Sequence, residues 1–243
     1  MRIKLSLKPK DAFIPFNYSQ YLHAAILDKL RFSDPEYAAE VHDSRSFKFF
    51  NFSEVFIPKG RADKEKGGFW VYSDSVRFFV SSPRERFVRA LLSGILASPE
   101  LRIGPSLFSL ESAEVIPPPD FSSGRAVFKT ISPIVASTLR EKDGKTRTWD
   151  LTPHDTQFYS NINKNLARKY GEFHGKELPS WVEIKVLEPL RTRRIQVKNE
   201  FHVGNMMVFE ARGSRELLDF AYECGFGERN SMGFGMVDVR RGA

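Results

Sequence analysis

Cysteine is almost missing from this chain. Cys224 stands alone among 243 residues, which excludes intramolecular disulfides and cysteine-based zinc sites and fits a reducing compartment. Long apolar runs are missing too. No stretch approaches the roughly 20 apolar residues that span a bilayer. The opening MRIKLSLKPKD alternates basic and apolar residues without the apolar block of a signal peptide, so a cytoplasmic protein with no membrane partner is expected. Acidic side chains are outnumbered, 30 against 37 Lys and Arg, for a net charge of +7. That excess points to an anionic partner. It is spread along the chain, +4 over residues 126–243 and +3 over the rest, which favours a polyanion held on a folded surface over a basic tail. With neither H-E-x-x-H nor an acidic cluster, no metal and no cofactor are expected.

What is present reads as alternating strands and helices. Residues 2–8 place Ile3, Leu5 and Leu7 on one face, as a half-buried strand does. From Asn17 to Arg31, Tyr18, Leu22, Ala25, Ile26 and Leu30 recur at helical spacing, and Asp34-Pro35 opens a second, short helix. Two aromatic segments follow, 47–57 and 69–80, the latter read as a hairpin. Ser82-Pro83 opens a helix with Phe87, Val88, Leu91, Leu92, Ile95 and Leu96 on its buried face, and 107–116 is a strand. Residues 117–124, PPPDFSSG, have the composition of a linker.

Beyond it the order recurs. AVFKTIS is a strand, Thr152-Pro153 opens a helix, WVEIKVL and HVGNMMVFEA are strands, Ser214 caps a helix, and GMVDV ends the series. Each half reads β-α-β-β-α-β. The expected fold class is α+β, with two tandem ferredoxin-like domains, 1–116 and 125–243, joined by the linker 117–124.

Residues 224–237, CGFGERNSMGFGMV, carry two Gly-Phe-Gly triplets around a polar centre. A Walker A loop would need Gly-Lys-Ser/Thr, and Asn230 occupies the position of the third glycine of a dinucleotide fingerprint. One reading is a turn packed by Phe226 and Phe234. The other is a loop whose exposed amides at Gly225, Gly227, Asn230, Ser231, Gly233 and Gly235 join Arg229 in meeting phosphates. A second basic feature is RTRRIQVK (191–198), with Arg191, Arg193, Arg194 and Lys198 and no acid among them. It is either a solvated face or, on a hairpin with NEFHVGN, a positive stripe along a phosphate backbone.

The stretch GFGERNSMGFGMV resembles the C-terminal glycine-rich motif of the RAMP superfamily. It looks like that of the CRISPR-associated endoribonucleases that cut repeat RNA into guide RNAs. FNYSQYLHAAIL, EVHDSRSFKFF, TISPIVAS and EFHVGNMMVFEARG agree in order, so the resemblance covers essentially the whole chain. It implies two ferredoxin-like domains, metal-independent cleavage by 2′-hydroxyl attack to 5′-hydroxyl and 2′,3′-cyclic phosphate ends, and CRISPR repeat RNA, the precursor of guide RNA, as partner. Assembly into a multi-subunit CRISPR effector complex and pairing as a homodimer stay open.

Such chemistry needs a proton acceptor, a proton donor and a cation facing the phosphorus. His42, at the end of the short second helix, matches the family's acid/base histidine, and Lys48 matches its transition-state lysine. The family's tyrosine on the first helix aligns with Leu27, which handles no proton and leaves a slow enzyme or a non-catalytic RNA-binding relative as alternatives. Taking Leu22 as zero at about 100° per residue, His23 falls near 100° and Leu27 near 140°, so His23 is a candidate replacement. His154, His174 and His202 carry no specific signal: His154 precedes a first-turn Asp155, His174 reads as loop, and His202 opens a strand. Phe47, Phe49, Phe50 and Phe52 read mainly as core, with base stacking as the other reading. A third class, a ferredoxin-like protein-interaction subunit, would make the charge incidental.

Overall fold

The computed structural model describes residues 1–240 apart from Asp11, Ser44, Arg45, Pro179 and Lys198, with the backbone alone at Lys142. The chain divides into two compact units, Met1–Pro117 and Pro118–Ala243. The first runs β1 (Arg2–Lys10), β2 (Phe13–Pro15), α1 (Ser19–Ser33), α2 (Pro35–Asp43), β3 (Asn51–Phe52), β4 (Gly60–Asp63), β5 (Gly68–Val71), β6 (Val76–Ser81), α3 (Glu85–Ala97), β7 (Glu100–Ile103) and β8 (Ser106–Ile116). Its main sheet has the order β3-β6-β1-β8-β7. With β7 set aside this is the 2-3-1-4 order of a ferredoxin-like unit, with α1 and α3 as its two helices.

Alternation builds the sheet face. Ile3, Leu5 and Leu7 of β1 are fully buried. α1 and α3 pack closely because Gly94 has no side chain: a Cβ there would lie 1.9 Å from the Lys29 carbonyl oxygen. Leu96, expected on the buried face of α3, is 68% exposed. At about 100° per residue it lies some 140° from Leu91, beyond the apolar stripe. The hairpin expected over 69–80 is also corrected. β6 pairs with β1 and β3, whereas β5 joins β2 and β4 in a separate three-stranded sheet. The Tyr72–Ser75 connection therefore switches sheets.

The second unit runs β9 (Arg125–Thr130), β10 (Ser137–Lys142), β11 (Lys145–Asp150), α4 (Thr156–His174), β12 (Glu183–Val197), β13 (Glu200–Arg212), α5 (Arg215–Cys224), a 3₁₀ turn (Asn230–Met232) and β14 (Val237–Val239). Its sheet order, β12-β13-β9-β14, is again 2-3-1-4. Both halves are therefore ferredoxin-like. Ser214 accepts from the Leu217 amide at 3.3 Å and caps α5 as expected. α4 begins at Thr156, so Asp155 sits just outside it, accepting from the Thr152 amide at 2.8 Å. Within the linker-like stretch, Phe121 is buried and packs edge-on against Phe128 and Tyr222.

Candidate functional site

In the first unit, α2 ends within one residue of His42, leaving that side chain 74% exposed with Nδ1 2.9 Å from Asp43 Oδ1. The last carbonyls of any helix lack intrahelical donors. Here Lys48 supplies one: its Nζ donates to the Val41 oxygen at 2.5 Å and the His42 oxygen at 2.7 Å. A cation at a helix C-terminus is also favoured by the dipole. The same contact that finishes the helix thus sets an ammonium beside the His42 backbone.

The segment after Lys48 is held rigidly. Phe49 has φ +50, a left-handed conformation costing a bulky residue about 1–3 kcal/mol. It persists because the ring is buried, the Arg84 guanidinium lies 4.9 Å from it, and the Ser82 hydroxyl donates to its carbonyl at 2.6 Å. Phe50 stacks on Phe87, 4.7 Å between centroids, and on the half-buried His23 ring, 5.7 Å between centroids. His23 therefore stands against the residue two places after Lys48. Leu27 packs on the hydrophobic core. Phe49, Phe50 and Phe52 are core residues and Phe47 is half-buried.

In the second unit, the glycine-rich stretch forms a packed knot. Gly225, Gly227, Gly233 and Gly235 are buried and all have positive φ. A Cβ on Gly235 would lie 1.9 Å from the Phe226 oxygen, and one on Gly227 2.3 Å from the Val135 oxygen, so the fold itself demands glycine at both. The amides of Phe226, Glu228, Met232, Gly233 and Gly235 donate to carbonyls within the unit. The expected cradle of bare amides is corrected to that extent. Asn230 is turned inward as well, its Nδ2 donating to the Phe226 and Phe234 oxygens at 3.1 and 3.0 Å.

Beneath the knot lies a residue that sequence reasoning missed. Lys169 of α4 is 2% exposed, and its Nζ donates to Gly225 O at 2.5 Å, Gly227 O at 3.2 Å and Asn230 Oδ1 at 3.0 Å. Burial pushes this amine below the usual lysine range, while three oxygen acceptors favour its ammonium. A lysine at the 3.6-residue spacing of Ile162 and Leu166 was the available signal.

What the knot turns outward is Arg229, itself at φ +56 with a side chain 35% exposed, together with half-buried Ser231 and Met232. Arg229 lies 3.6 Å from Glu200, and the same carboxylate lies 3.6 Å from His202 Nε2. His202 is buried, with Nδ1 3.5 Å from Asp150. His174 ends α4 against Tyr170 and Phe220, which corrects the loop expected there.

The basic run lies on β12, paired with β13 as a hairpin. Arg191 and Arg193 share the face of buried Ile195 and Val197, whereas Arg194 points the other way, 4.1 Å over the Phe201 ring. The run is therefore divided between two faces. Lys198 lies outside the described residues. Among the described residues no three His, Cys, Asp or Glu side chains come together as a metal site requires.

Two family models match nearly end to end: CRISPR-associated protein Cas6, N-terminal, over residues 13–114, and CRISPR associated protein Cas6, C-terminal, over 116–239. The chain belongs to the Cas6 family. It is 37% identical over 239 residues to the CRISPR-associated endoribonuclease Cas6 1 of Methanocaldococcus jannaschii, covering 98% of this chain and 92% of that one. The endoribonuclease-like protein Cas6nc of Pyrococcus horikoshii is 34% identical over 244 residues, covering 98% and 99%. A solved structure described as an RAMP protein binding different RNA substrates superimposes with a TM-score of 0.89 at 33% identity, covering 99% of this chain and 100% of that one. This Cas6 chain thus has relatives named both endoribonuclease and endoribonuclease-like.

Proposed function

We propose that this protein is a metal-independent endoribonuclease that matures CRISPR repeat RNA. The observation carrying this reading is the junction of α2 and the Lys48 segment, where the Lys48 ammonium is anchored on the backbone carbonyl of His42, whose imidazole is exposed, in a chain whose relative is a named Cas6 endoribonuclease. The 2′-hydroxyl loses its proton and its oxygen bonds to the adjacent phosphorus. The bond from phosphorus to the 5′-oxygen breaks, and that oxygen takes up a proton. His42 handles a proton in this sequence, Lys48 faces the charge gathering on the phosphoryl oxygens, and His23 is the candidate second proton group. Arg229 and Ser231, with Arg191 and Arg193, position the RNA through its phosphates.

Incubation of repeat RNA with the purified protein in EDTA tests this. Cleavage that stops on 2′-deoxy substitution at the scissile nucleotide, and falls about 10²–10⁴-fold in His42→Ala with binding kept, is the expected result. Leu27 favours a second reading. A packed leucine where the family has a tyrosine suits a non-catalytic repeat-RNA-binding relative, for which tight binding without cutting is the expected outcome.

A further inference from the structure

Among the described residues the β10–β11 hairpin is a two-stranded ribbon that joins no other sheet, and its turn, Asp143-Gly144, has both residues at positive φ, as a type I′ turn requires. Opposed residues share a face. Thr138 faces Trp149, Arg140 faces Arg147, and Lys142 faces Lys145. Arg140, Lys145, Arg147 and the indole therefore fall on one side. The other carries Ser137, Leu139, Glu141, Thr146, Thr148 and Asp150, including both acids of the two strands.

Segregation this complete has a chemical reading. Trp149 is 48% exposed, and the Arg140 guanidinium lies 4.7 Å from its ring. Arg140 also has a loose ion pair with Asp155 at 3.9 Å, while Lys145 and Arg147 are exposed. The root of the ribbon is fixed to the glycine knot: the Ser137 amide and hydroxyl donate to Glu228 at 3.0 and 2.7 Å, and the Glu228 amide donates to Val135 at 2.8 Å. Glu228 immediately precedes Arg229, so the ribbon is rooted one residue along the chain from the side chain that the knot turns outward.

We infer that this face is a second RNA-binding site, taking a single-stranded segment of the substrate by stacking a base on Trp149 and pairing flanking phosphates with Arg140, Arg147 and Lys145. It rests on the reading of the protein as an RNA enzyme and extends it. An aromatic ring among cations is the composition that holds single strands without reading their sequence. The site is remote in sequence from His42 and Lys48 and lies outside the other basic run on β12.

Binding of repeat RNA and of a 20-nucleotide oligouridylate, measured by fluorescence anisotropy across a salt series, tests the inference. Cleavage is followed in the same preparations. Trp149→Ala is expected to weaken binding of both RNAs roughly 5–150-fold. Arg140→Ala/Arg147→Ala is expected to flatten the slope of log affinity against log salt by about 1.4. Leu139→Ser and Thr146→Ala, on the opposite face, should bind as the parent does, which controls for folding of the ribbon.

Wild-type affinity and salt slope in the cationic-face variants overturn the inference even if the protein cuts RNA normally. Loss of binding in those variants of a protein that cuts nothing upholds it while defeating the catalytic reading. Failure of the parent to bind either RNA overturns both. Unchanged RNA binding with lost attachment to a protein subunit assigns the face to a protein partner and overturns it too.

Discussion

Lys169 shows how one residue can shape a loop without meeting a ligand. Burying an ammonium carries a desolvation cost of several kcal/mol, so replacing it with Met removes that cost as well as the three contacts to Gly225, Gly227 and Asn230. Two terms of opposite sign then compete, because orphaned buried acceptors cost about 1–3 kcal/mol each. Lys169→Met is therefore expected to change global stability by less than about 3 kcal/mol in either direction. Hydrogen exchange at the Phe226 and Gly233 amides should nonetheless speed up sharply, since their acceptors lie in the same knot. Equal protection in parent and variant would show that the glycines alone hold the loop. Gly235→Ala has no compensating term: a positive φ and a 1.9 Å approach to Phe226 O predict a loss of about 3 kcal/mol or more, read as a fall in thermal midpoint.

At the scale of elements, α2 is nine residues long, too short to be stable without packing and capping. Lys48→Met strips the donor from Val41 O and His42 O and is expected to cost about 1–2 kcal/mol, with exchange increasing in the last turn of α2 before any other element. Lys48→Arg should restore part of it. Measuring cleavage on the same variants separates capping from chemistry, because Arg can recover the helix without recovering the rate. Elements whose pattern is local were legible: β1 by alternation, α1 and α3 by their stripes, α5 by Ser214. Those whose partners are distant were not. Residues 69–80 carry a hairpin pattern, yet β5 and β6 enter different sheets, a choice made by β2 and β1 far upstream. The strand expected over WVEIKVL runs on through Pro189 to Val197 as β12. On an edge strand, with register shifts on both sides of it, a proline is tolerated. The β10–β11 ribbon was overlooked although its Asp-Gly dipeptide is a strong local hairpin signal. His42 and Lys48 are candidates through resemblance to a family alone, and the helix terminus they share is seen only in the fold. Lys169, whose partners lie more than fifty residues away, was not.

For the molecule as a whole, charge links the two units to pH. In the second unit, Asp155, Glu210 and Glu216 are all held below the usual carboxylate range, by the Thr152 amide, by Arg125 and by Tyr170 respectively. A carboxylate whose folded pKa is depressed contributes stability above its unfolded pKa and loses it as pH falls through the folded one. Asp120 is lowered too, by the Ser122 amide, whereas Asp219 runs the other way, since burial raises it; it is one group against four. The first unit has one such lowered carboxylate, Asp63. Acidification below about pH 4 is therefore expected to weaken the second unit before the first. Trp70 reports on the first unit and Trp149 and Trp181 on the second, so single-tryptophan variants followed through urea unfolding at pH 7 and pH 3.5 can separate them. The midpoint seen by Trp181 should fall further than that seen by Trp70, and Glu210→Gln/Glu216→Gln should narrow the gap. Midpoints falling together in both reporters would mean that the units unfold as one cooperative body, with these ion pairs too weak to divide them.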